Sequence, residues 1–307
     1  MHTACYNACM SIWIVIVLIL VITVLVVLCI NQHRNQTIQV TQVKIELDHL
    51  PEAFDGFRIV QISDLHGNEL QDLVEKTAAF RPDLIACTGD LYDGVRYANR
   101  TEKVLQDLAD LAPVYFVTGN HEYYSGKWQE RAARLPFVGV EYLNNRCTLL
   151  TKEGQSIELC GIDDPDLDYH WSYARRLDQF QANLDQLPQK GEVDANEPAS
   201  HNHPPVRILL SHRADLFEQS GPAKADLILS GHLHGGQWRL LNKGLIAPYN
   251  GDRFVFFPKY DAGLYRYGQS QMYVSRGLGD QMRIPRLFNR PELVWITLTS
   301  EILVPAS

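Results

Sequence analysis

Five short motifs of aspartate, histidine and asparagine follow apolar runs along the chain. They are Asp64-Leu65-His66, Gly89-Asp90, Gly119-Asn120-His121-Glu122, Ser211-His212 and Gly231-His232-Leu233-His234. Carboxylate and imidazole groups suit divalent cations such as manganese, iron, zinc or cobalt. Because charged groups in an apolar core need a partner, we interpret the set as a candidate metal centre.

Each motif alone has a simpler explanation. A single Asp-x-His pair commonly arises by chance, and a Gly-Asp pair at a strand end is often a turn. His232 and His234 alternate, so on a strand they would share a face without necessarily binding a metal. The metal hypothesis therefore depends on the five motifs together.

Alternating strand and helix patterns precede these motifs. Residues 57–63, 83–88 and 113–118 read as strands, and residues 70–80 and 101–111 as helices, which is typical of a parallel sheet. Ligands gather at the carboxyl ends of such strands. The remaining predicted elements are an edge-strand region at 37–48, a helix at 171–187, surface loops at 188–205 and 244–258, and strands at 138–143, 148–151, 157–161, 207–211, 227–230, 272–275 and 293–298.

The ordered motifs resemble those of the calcineurin-like metallophosphoesterase superfamily. The resemblance spans Asp64 to His234, and the runs 274–279 and 289–292 extend it towards a bacterial membrane-associated branch. That branch includes envelope phosphodiesterases and a UDP-2,3-diacylglucosamine pyrophosphatase of lipid A synthesis. The resemblance implies a four-layer α/β/β/α sandwich of two mixed sheets, within the α/β class.

The resemblance also implies a role for each residue of the centre, with two divalent ions, manganese first and iron, zinc or cobalt as alternatives. His121 would face the scissile phosphate, and Asp93 would orient His121. Asp90 would bridge the two ions. The other ligands would be Asp64, His66 and His234 for the first ion, and Asn120, His212 and His232 for the second.

This arrangement implies hydrolysis of a phosphate ester. Two metal ions clamp the phosphate and lower the pKa of a bridging water, whose hydroxide attacks phosphorus. His121 can stabilise the developing charge or protonate the leaving group. The superfamily's protein phosphatases carry arginine where this chain has Gly94, which favours phosphodiester or pyrophosphate substrates. UDP-2,3-diacylglucosamine is the best-defined candidate; the alternatives are a general phosphodiesterase and a non-catalytic membrane-anchored binding protein.

Several charged residues remain open to two interpretations. Four arginines either contact the substrate or are surface charges: Arg213, Arg276, Arg283 and Arg286. The acidic run 164–168 starts like a calcium loop but lacks glycine at its sixth position and glutamate at its twelfth. We therefore expect a solvated acidic loop there, and exposed imidazoles at His201 and His203.

The N-terminal region contains a candidate membrane anchor. The nineteen residues 12–30 are apolar except Thr23 and would span roughly 30 Å as a helix. A signal peptide would require basic residues before the apolar stretch, but no Lys or Arg precedes it here. We expect an N-terminal tail at 1–11, a transmembrane helix at 12–30, a linker at 31–36 and a metallophosphoesterase domain at 37–307. Arg34 and Lys44 favour a cytoplasmic catalytic domain.

The net charge and the number of cysteines limit which binding partners and which cellular compartment are expected. The net charge of −8 argues against a nucleic-acid partner, which leaves the phosphate substrate and the bilayer. Six cysteines are too few and too scattered for a disulfide framework. Cys87 and Cys160 lie in apolar runs and are predicted to be buried as small hydrophobic residues. The odd, sparse set of cysteines in the soluble part favours a reducing compartment.

Overall fold

The computed structural model describes residues 2–68, 70–93, 97–165, 172–193, 204–218, 225–250, 253–279 and 285–300. Its helices are α1 (His2–Asn35), α2 (Leu73–Phe80), α3 (Ala98–Ala109), α4 (Asn120–Tyr124), α5 (Trp128–Ala132) and α6 (Tyr173–Asp185). Short 3-10 helices occupy Glu52–Phe54, Leu135–Val138 and Ala214–Leu216.

The strands appear in two groups along the chain. The first group is β1 (Gln39–Leu47), β2 (Arg58–Ile62), β3 (Leu84–Thr88), β4 (Val114–Val117), β5 (Val140–Tyr142), β6 (Arg146–Lys152) and β7 (Gln155–Ile162). The second group is β8 (Arg207–Arg213), β9 (Leu227–Gly231), β10 (Trp238–Leu240), β11 (Lys243–Asn250), β12 (Arg253–Phe256), β13 (Gly263–Tyr267), β14 (Ser270–Val274) and β15 (Glu292–Ser300).

Two six-stranded mixed sheets form the centre of the described structure. The first has the order β1-β15-β2-β3-β4-β5, in which only the β15–β2 pair is antiparallel. The second has the order β13-β14-β9-β8-β7-β6, with antiparallel pairs at both edges. The parallel strands that precede the motifs, β2, β3, β4, β8 and β9, lie inside the sheets, where they are buried on both faces.

Apolar side chains hold the layers together. Ile59 and Leu84 of the first sheet share a buried cluster with Ile208 and Leu229 of the second. A second cluster packs α2, α3 and α5 on the outer face of the first sheet. A third cluster packs α6 on the second sheet through residues such as Phe180. The predicted four-layer α/β/β/α sandwich of two mixed sheets is confirmed.

The apolar N-terminal helix is longer than the sequence predicts. It runs from His2 to Asn35, so residues 31–35 of the predicted linker 31–36 form its last turn. The side chains of Asn31 and Asn35 both donate hydrogen bonds to the Arg286 carbonyl, at 2.7 and 2.8 Å. This contact with the folded domain explains why a polar segment stays helical beyond the apolar run.

A small antiparallel sheet of order β10-β11-β12 occupies the region predicted as the loop 244–258. The prediction of a loop was wrong because several apolar residues here are exposed. Leu240 and Leu241 are 58% and 89% exposed, and Phe256 is 67% exposed. Partly buried or exposed apolar residues adjoin one another along the run, so it shows no alternation that would indicate a strand.

A disulfide joins Cys147 to Cys160, and Cys87 is free and buried. The two bonded residues lie directly opposite each other on the antiparallel strands β6 and β7. Cys160 is buried as predicted, but its bond to Cys147 was not predicted. The register of two strands brings these cysteines together, and sequence spacing alone does not reveal that register.

Candidate metal centre

The loops after five parallel strands converge on one buried site between the two sheets. Asp64 and His66 follow β2, Asp90 follows β3, and Asn120 follows β4. From the other sheet, His212 lies near the end of β8, and two further histidines follow β9. Each of the seven predicted ligands is at most 6% exposed: Asp64, His66, Asp90, Asn120, His212, His232 and His234.

One group of donor atoms belongs to Asp64, His66 and His234, whose potential ligand atoms lie within 4.8 Å of one another. The Nε2 atoms of the two imidazoles are 3.2 Å apart. His234 Nε2 also lies 3.6 Å from Asp64 Oδ1. The geometry brings three donors around one point, as a bound cation requires.

A second group belongs to Asp90, His212 and His232. His212 Nε2 lies 3.2 Å from Asp90 Oδ2 and 3.2 Å from His232 Nδ1. The same Asp90 oxygen is 3.9 Å from His66 Nε2 in the first group. Asp90 therefore lies between the two groups and, among the described residues, is the carboxylate that comes near the imidazoles of both.

Asn120 adds an unsatisfied acceptor to this region. Its Oδ1 atom is buried and has no hydrogen-bond partner among the described residues. A buried carbonyl oxygen without a partner typically costs about 1–3 kcal/mol. A bound cation would satisfy this oxygen, so the local chemistry fits a metal ligand.

The protonation states of three histidines also suit metal binding. Burial lowers the pKa values of His66, His232 and His234 well below the ordinary value. Arg213 Nη1 lies 2.8 Å from His232 Nε2, and Arg286 Nη2 lies 3.3 Å from His234 Nδ1. Both guanidinium groups lower the pKa of the adjacent histidine further, towards the neutral form that binds metals.

The remaining charged groups depend on one another. Burial raises the pKa of Asp64 to about 6. Burial alone would raise the pKa of Asp90 and lower that of His212, but their mutual attraction outweighs both effects. It lowers the pKa of Asp90 well below its usual range and raises that of His212 to about 10. A cation at this site would replace the proton as the partner of these carboxylates.

His121 and Asp93 lie at the more open side of the site. His121 Nδ1 is 3.3 Å from Asp93 Oδ1, and its ring lies 4.5 Å from that of His66 between centroids. Burial would lower the pKa of His121, but the Asp90 and Asp93 carboxylates raise it above the ordinary value. His121 also belongs to a third group of closely spaced donors, with His66 and Asp90.

Glu122 joins two of the converging loops and was missed by the sequence analysis. Its buried carboxylate accepts hydrogen bonds from the backbone N–H groups of Asp90, Tyr92 and Gly119, at 2.8, 2.9 and 2.6 Å. Glu122 therefore holds the loops after β3 and β4 in a fixed relation. The signal was present in the Gly119-Asn120-His121-Glu122 motif, which ends in a charged residue without an assigned role.

Two of the four candidate arginines are buried beside the site, so the surface-charge alternative is wrong for them. Arg213 is 3% exposed, and its Nε atom lies 3.0 Å from Asp164 Oδ2. Arg286 is 1% exposed and donates to the carbonyls of Arg276 and Gly279. Arg276 forms an ion pair with Glu292 at 3.0 Å.

Asp164 is buried, so the prediction of a solvated acidic loop is wrong at this position. Its ion pair with Arg213 and the hydrogen bond from its N–H to Thr118 Oγ1 join this loop to the site. Several other residues weighed in the sequence lie outside the described part of the chain: Gly94, Asp166, Asp168, His201, His203 and Arg283.

The backbone around the site is conformationally demanding. Five predicted ligands have positive φ angles between 46° and 75°: Asp64, His66, Asp90, His232 and His234. Residues other than glycine seldom adopt this region, and they cluster at functional sites where surrounding contacts fix them. Gly119 and Gly231 pass so close to Asp90 and Asp64 that a Cβ atom at either position would clash with a carboxylate.

Comparisons with known proteins agree with this geometry. The family model of the calcineurin-like phosphoesterases matches residues 57–236, which include all five motifs. An uncharacterized metallophosphoesterase of Bacillus subtilis, YkuE, is 31% identical over 281 residues, covering 86% of each chain. The phosphodiesterase YaeI of Escherichia coli is 29% identical and covers 79% of this chain and 82% of its own length.

Two further matches are to a longer relative and to a solved structure of low sequence identity. A transmembrane protein with a metallophosphoesterase domain from Danio rerio is 28% identical over 86% of this chain, which spans 58% of that relative's length. The solved phosphopantetheinyl hydrolase of Mycobacterium tuberculosis is 13% identical, with a TM-score of 0.43 over 72% of this chain and 89% of its own.

Proposed function

The chain belongs to the calcineurin-like phosphoesterase family, and we propose that it is a membrane-anchored hydrolase of phosphodiester or pyrophosphate bonds. Membership of this family makes it a metal-dependent phosphoester hydrolase. The observation that carries the proposal is the pair of donor groups that share Asp90. Two adjacent cation sites can stabilise both the attacking and the leaving oxygen when a phosphate group is transferred to water.

We assign seven residues to two divalent ions, with manganese as the first choice. When bound, the ions would neutralise phosphate charge and lower the pKa of a water between them. Asp90 is assigned to both ions, since its carboxylate faces both donor groups. The proposed ligands are Asp64, His66 and His234 for the first ion, and Asn120, His212 and His232 for the second.

We also assign roles to residues outside this ligand set. We assign His121 as the acid that stabilises phosphate charge or protonates the leaving group, because its raised pKa favours the charged form. Asp93 accepts from His121 Nδ1 and so keeps Nε2 free to face the substrate. Arg213 and Arg286 keep two ligand histidines neutral.

Membrane anchoring is supported by α1 and by relatives named as transmembrane proteins. The segment Ile12–Asn35 is long and apolar enough to cross a membrane. We propose that α1 spans the bilayer and that residues 37–307 form the catalytic domain. An anchored site would meet lipid-linked phosphates at high local concentration.

We propose that the catalytic domain faces the oxidising side of the membrane. Disulfides such as Cys147–Cys160 form and persist in oxidising compartments. Arg34 and Lys44 favour the opposite side, but two basic residues are a weaker constraint than a covalent bond. The test is thiol alkylation in intact cells before and after reduction. Free thiols at both positions before reduction would contradict this orientation.

The orientation bears on the substrate. An oxidising compartment would separate the site from UDP-2,3-diacylglucosamine, which requires a cytoplasmic site. We therefore propose lipid-linked phosphodiesters of the envelope as the substrate class, and keep UDP-2,3-diacylglucosamine as the comparison substrate.

The experiment is an assay of the purified, manganese-loaded chain on three substrates: bis-(p-nitrophenyl) phosphate, p-nitrophenyl phosphate and UDP-2,3-diacylglucosamine. We expect the diester to be cleaved with the highest kcat/KM. Preference for the monoester would overturn the phosphodiesterase proposal, and efficient cleavage of UDP-2,3-diacylglucosamine would restore the lipid A assignment. Metal content below one ion per chain after reconstitution would favour a non-catalytic binding protein.

A further inference from the structure

The end of α1 is attached directly to one segment of the catalytic domain, residues 285–290. Asn31 and Asn35 donate to the Arg286 carbonyl, and the Phe288 N–H donates to Asn31 Oδ1 at 2.8 Å. Asn31 is buried by this contact. Three hydrogen bonds therefore set the height of this segment relative to the proposed membrane span.

The same segment also contacts the metal centre. The Arg286 side chain approaches His234 Nδ1 at 3.3 Å. Asn289 Nδ2 donates to the His234 carbonyl at 2.7 Å and to the Gln237 carbonyl at 3.2 Å. The anchor and the site are thus connected through a few consecutive residues, so the site lies at a defined position near the membrane.

Phe288 of this segment lies beside the last apolar turns of α1. It lines a cleft of about 100 Å³ together with Val27, Ile30 and Asn31 of α1. Val27 and Ile30 belong to the last apolar turns of the proposed span. Phe288 is 54% exposed, so part of its ring lies outside the protein at the depth of these two residues.

The small sheet extends from the same segment. Leu287 pairs with Trp238 of β10, and the Arg239 N–H donates to the Leu287 carbonyl at 3.0 Å. From Trp238 the chain reaches Leu241 in three residues, roughly 10 Å at the rise of a strand. Ile246 of β11 pairs with both Trp238 and Phe256, so the β10–β11 turn and the end of β12 lie close to this segment.

These neighbouring elements expose a group of large apolar side chains, which we name the apolar rim: Leu240, Leu241, Phe256, Phe257 and Phe288. Contiguous exposed apolar residues commonly mark an interaction surface. Leu241 and Phe257 are 89% and 73% exposed and also have positive φ angles of 49° and 54°. Turn positions of this kind usually carry glycine, asparagine or aspartate, so neither local conformation nor burial explains these side chains.

Basic residues flank the rim within a chain of net charge −8. Lys243 follows the β10–β11 turn and is exposed, and Arg34 is exposed at the end of α1. Arg290 lines the cleft beside Phe288. Apolar side chains bordered by cations suit the interface of a bilayer that carries anionic head groups.

We propose that the apolar rim inserts into the interfacial region of the leaflet from which α1 emerges, so that the metal centre opens towards lipid head groups. The partner is the bilayer itself, because Phe288 of the rim lies against the last apolar turns of α1 and basic residues border the rim. This inference rests on the proposed membrane span of α1 and is independent of the proposed hydrolytic chemistry.

The test places tryptophan at the rim of the full-length chain in vesicles of phosphatidylcholine and phosphatidylglycerol with brominated acyl chains. Phe257→Trp is compared with Phe137→Trp, a matched control that is 87% exposed beside β5, at the opposite edge of the first sheet from β1. The wild-type emission, from five tryptophans, is subtracted from each variant. We expect at least a twofold quenching of the added emission for F257W and none for F137W.

Three outcomes would overturn the proposal. No quenching of F257W would place the rim outside the bilayer. Equal quenching of F257W and F137W would indicate non-specific adsorption of the whole domain. Shielding of F257W from aqueous iodide without quenching by brominated lipid would assign the rim to a protein partner or a second copy of the chain. None of these readouts depends on enzymatic activity.

Discussion

Positive φ angles occur both at the metal centre and at the apolar rim, but the side chains involved have opposite surroundings. Asp64, His66 and Asp90 are buried, and their backbone groups bond to the neighbouring loop or to Glu122. Leu241, Phe257 and Phe288 have similar angles, yet their side chains are exposed. Contacts within the protein thus hold and cover the first set. In the second set the backbone is also bonded, as at the Phe288 N–H, but the side chains are largely exposed.

The metal centre and the apolar rim therefore point to function in different ways. The buried polar groups of the metal centre find their partners within the chain or in the proposed cations. The side chains of the apolar rim are exposed in the protein and would be covered only by the proposed contact with a bilayer. Variants should therefore divide into those that change chemistry in any medium and those that act only at a membrane.

The largest effect is expected from Asp90→Ala, since Asp90 is the carboxylate shared by both donor groups. Both metal occupancy and turnover should fall, the latter towards the uncatalysed rate, which lies at least about 10⁶-fold below that of a typical enzyme. Metal analysis and a diesterase assay measure the two losses. Asp48→Ala, at an exposed position, is the control. Two retained ions with near-normal activity would disprove the assignment.

His121→Ala should keep both metals and lower kcat by about 10²–10⁴, as expected for a lost acid. The raised pKa means that the active, protonated imidazole is present below this pKa and lost as pH rises through it. The alkaline fall in kcat of the wild type should therefore disappear in the variant. His33→Ala, exposed on α1, is the matched control. Metal loss in the His121 variant would instead identify a ligand.

A smaller effect is expected at Asp163, which accepts a hydrogen bond from Thr118 beside the Gly119 turn. Burial raises its pKa from 3.8 to about 6. Its stabilising contribution is therefore full below pH 3.8 and lost as pH rises through about 6. A shift of this size corresponds to about 3 kcal/mol.

Asp163→Asn should remove this pH dependence without removing the metal ligands. Unfolding of the chain in detergent at pH 4 and pH 7 measures the difference, with Asp48→Asn as the exposed control. If both variants show the wild-type pH dependence, Asp163 does not carry the effect.

The smallest effect is expected from Asn31→Ala, which leaves the Phe288 N–H without its acceptor. A lost hydrogen bond of this kind costs about 1 kcal/mol, so a modest fall in unfolding temperature should follow. Gln32→Ala, exposed on the same turn, is the control. Combined with F257W in vesicles, Asn31→Ala should also reduce lipid quenching. Unchanged quenching would mean that the rim reaches the bilayer without this contact.

The buried parallel strands and their motifs could be predicted from the sequence because both signals are local. Strands such as β3 are continuous apolar runs, and each is followed within a few residues by a polar motif. The four-layer arrangement and the ligand pairing came from a resemblance that rested on those same motifs. Family membership and the observed sandwich confirm the fold, while the ligand assignments remain predictions.

The features that sequence reasoning missed depend on contacts between distant residues. The ion pair of Arg213 with Asp164 makes burial of both possible, but neither residue signals the other in the sequence. The Cys147–Cys160 bond depends on strand register. The small sheet was hidden because its apolar residues face outwards, against the usual pattern of a soluble domain.

The pairing of β1 with β15 has a consequence for the order of synthesis. The first strand after the anchor is parallel to the last strand of the described chain, from Gln39 opposite Glu292 to Leu47 opposite Ser300. If α1 is inserted into the bilayer during synthesis, β1 would lack its neighbour until residues 292–300 had emerged from the ribosome. Contacts so distant in sequence slow folding and expose unpaired strands. The strand that directly follows the proposed anchor would therefore pair late, after the anchor had already been inserted.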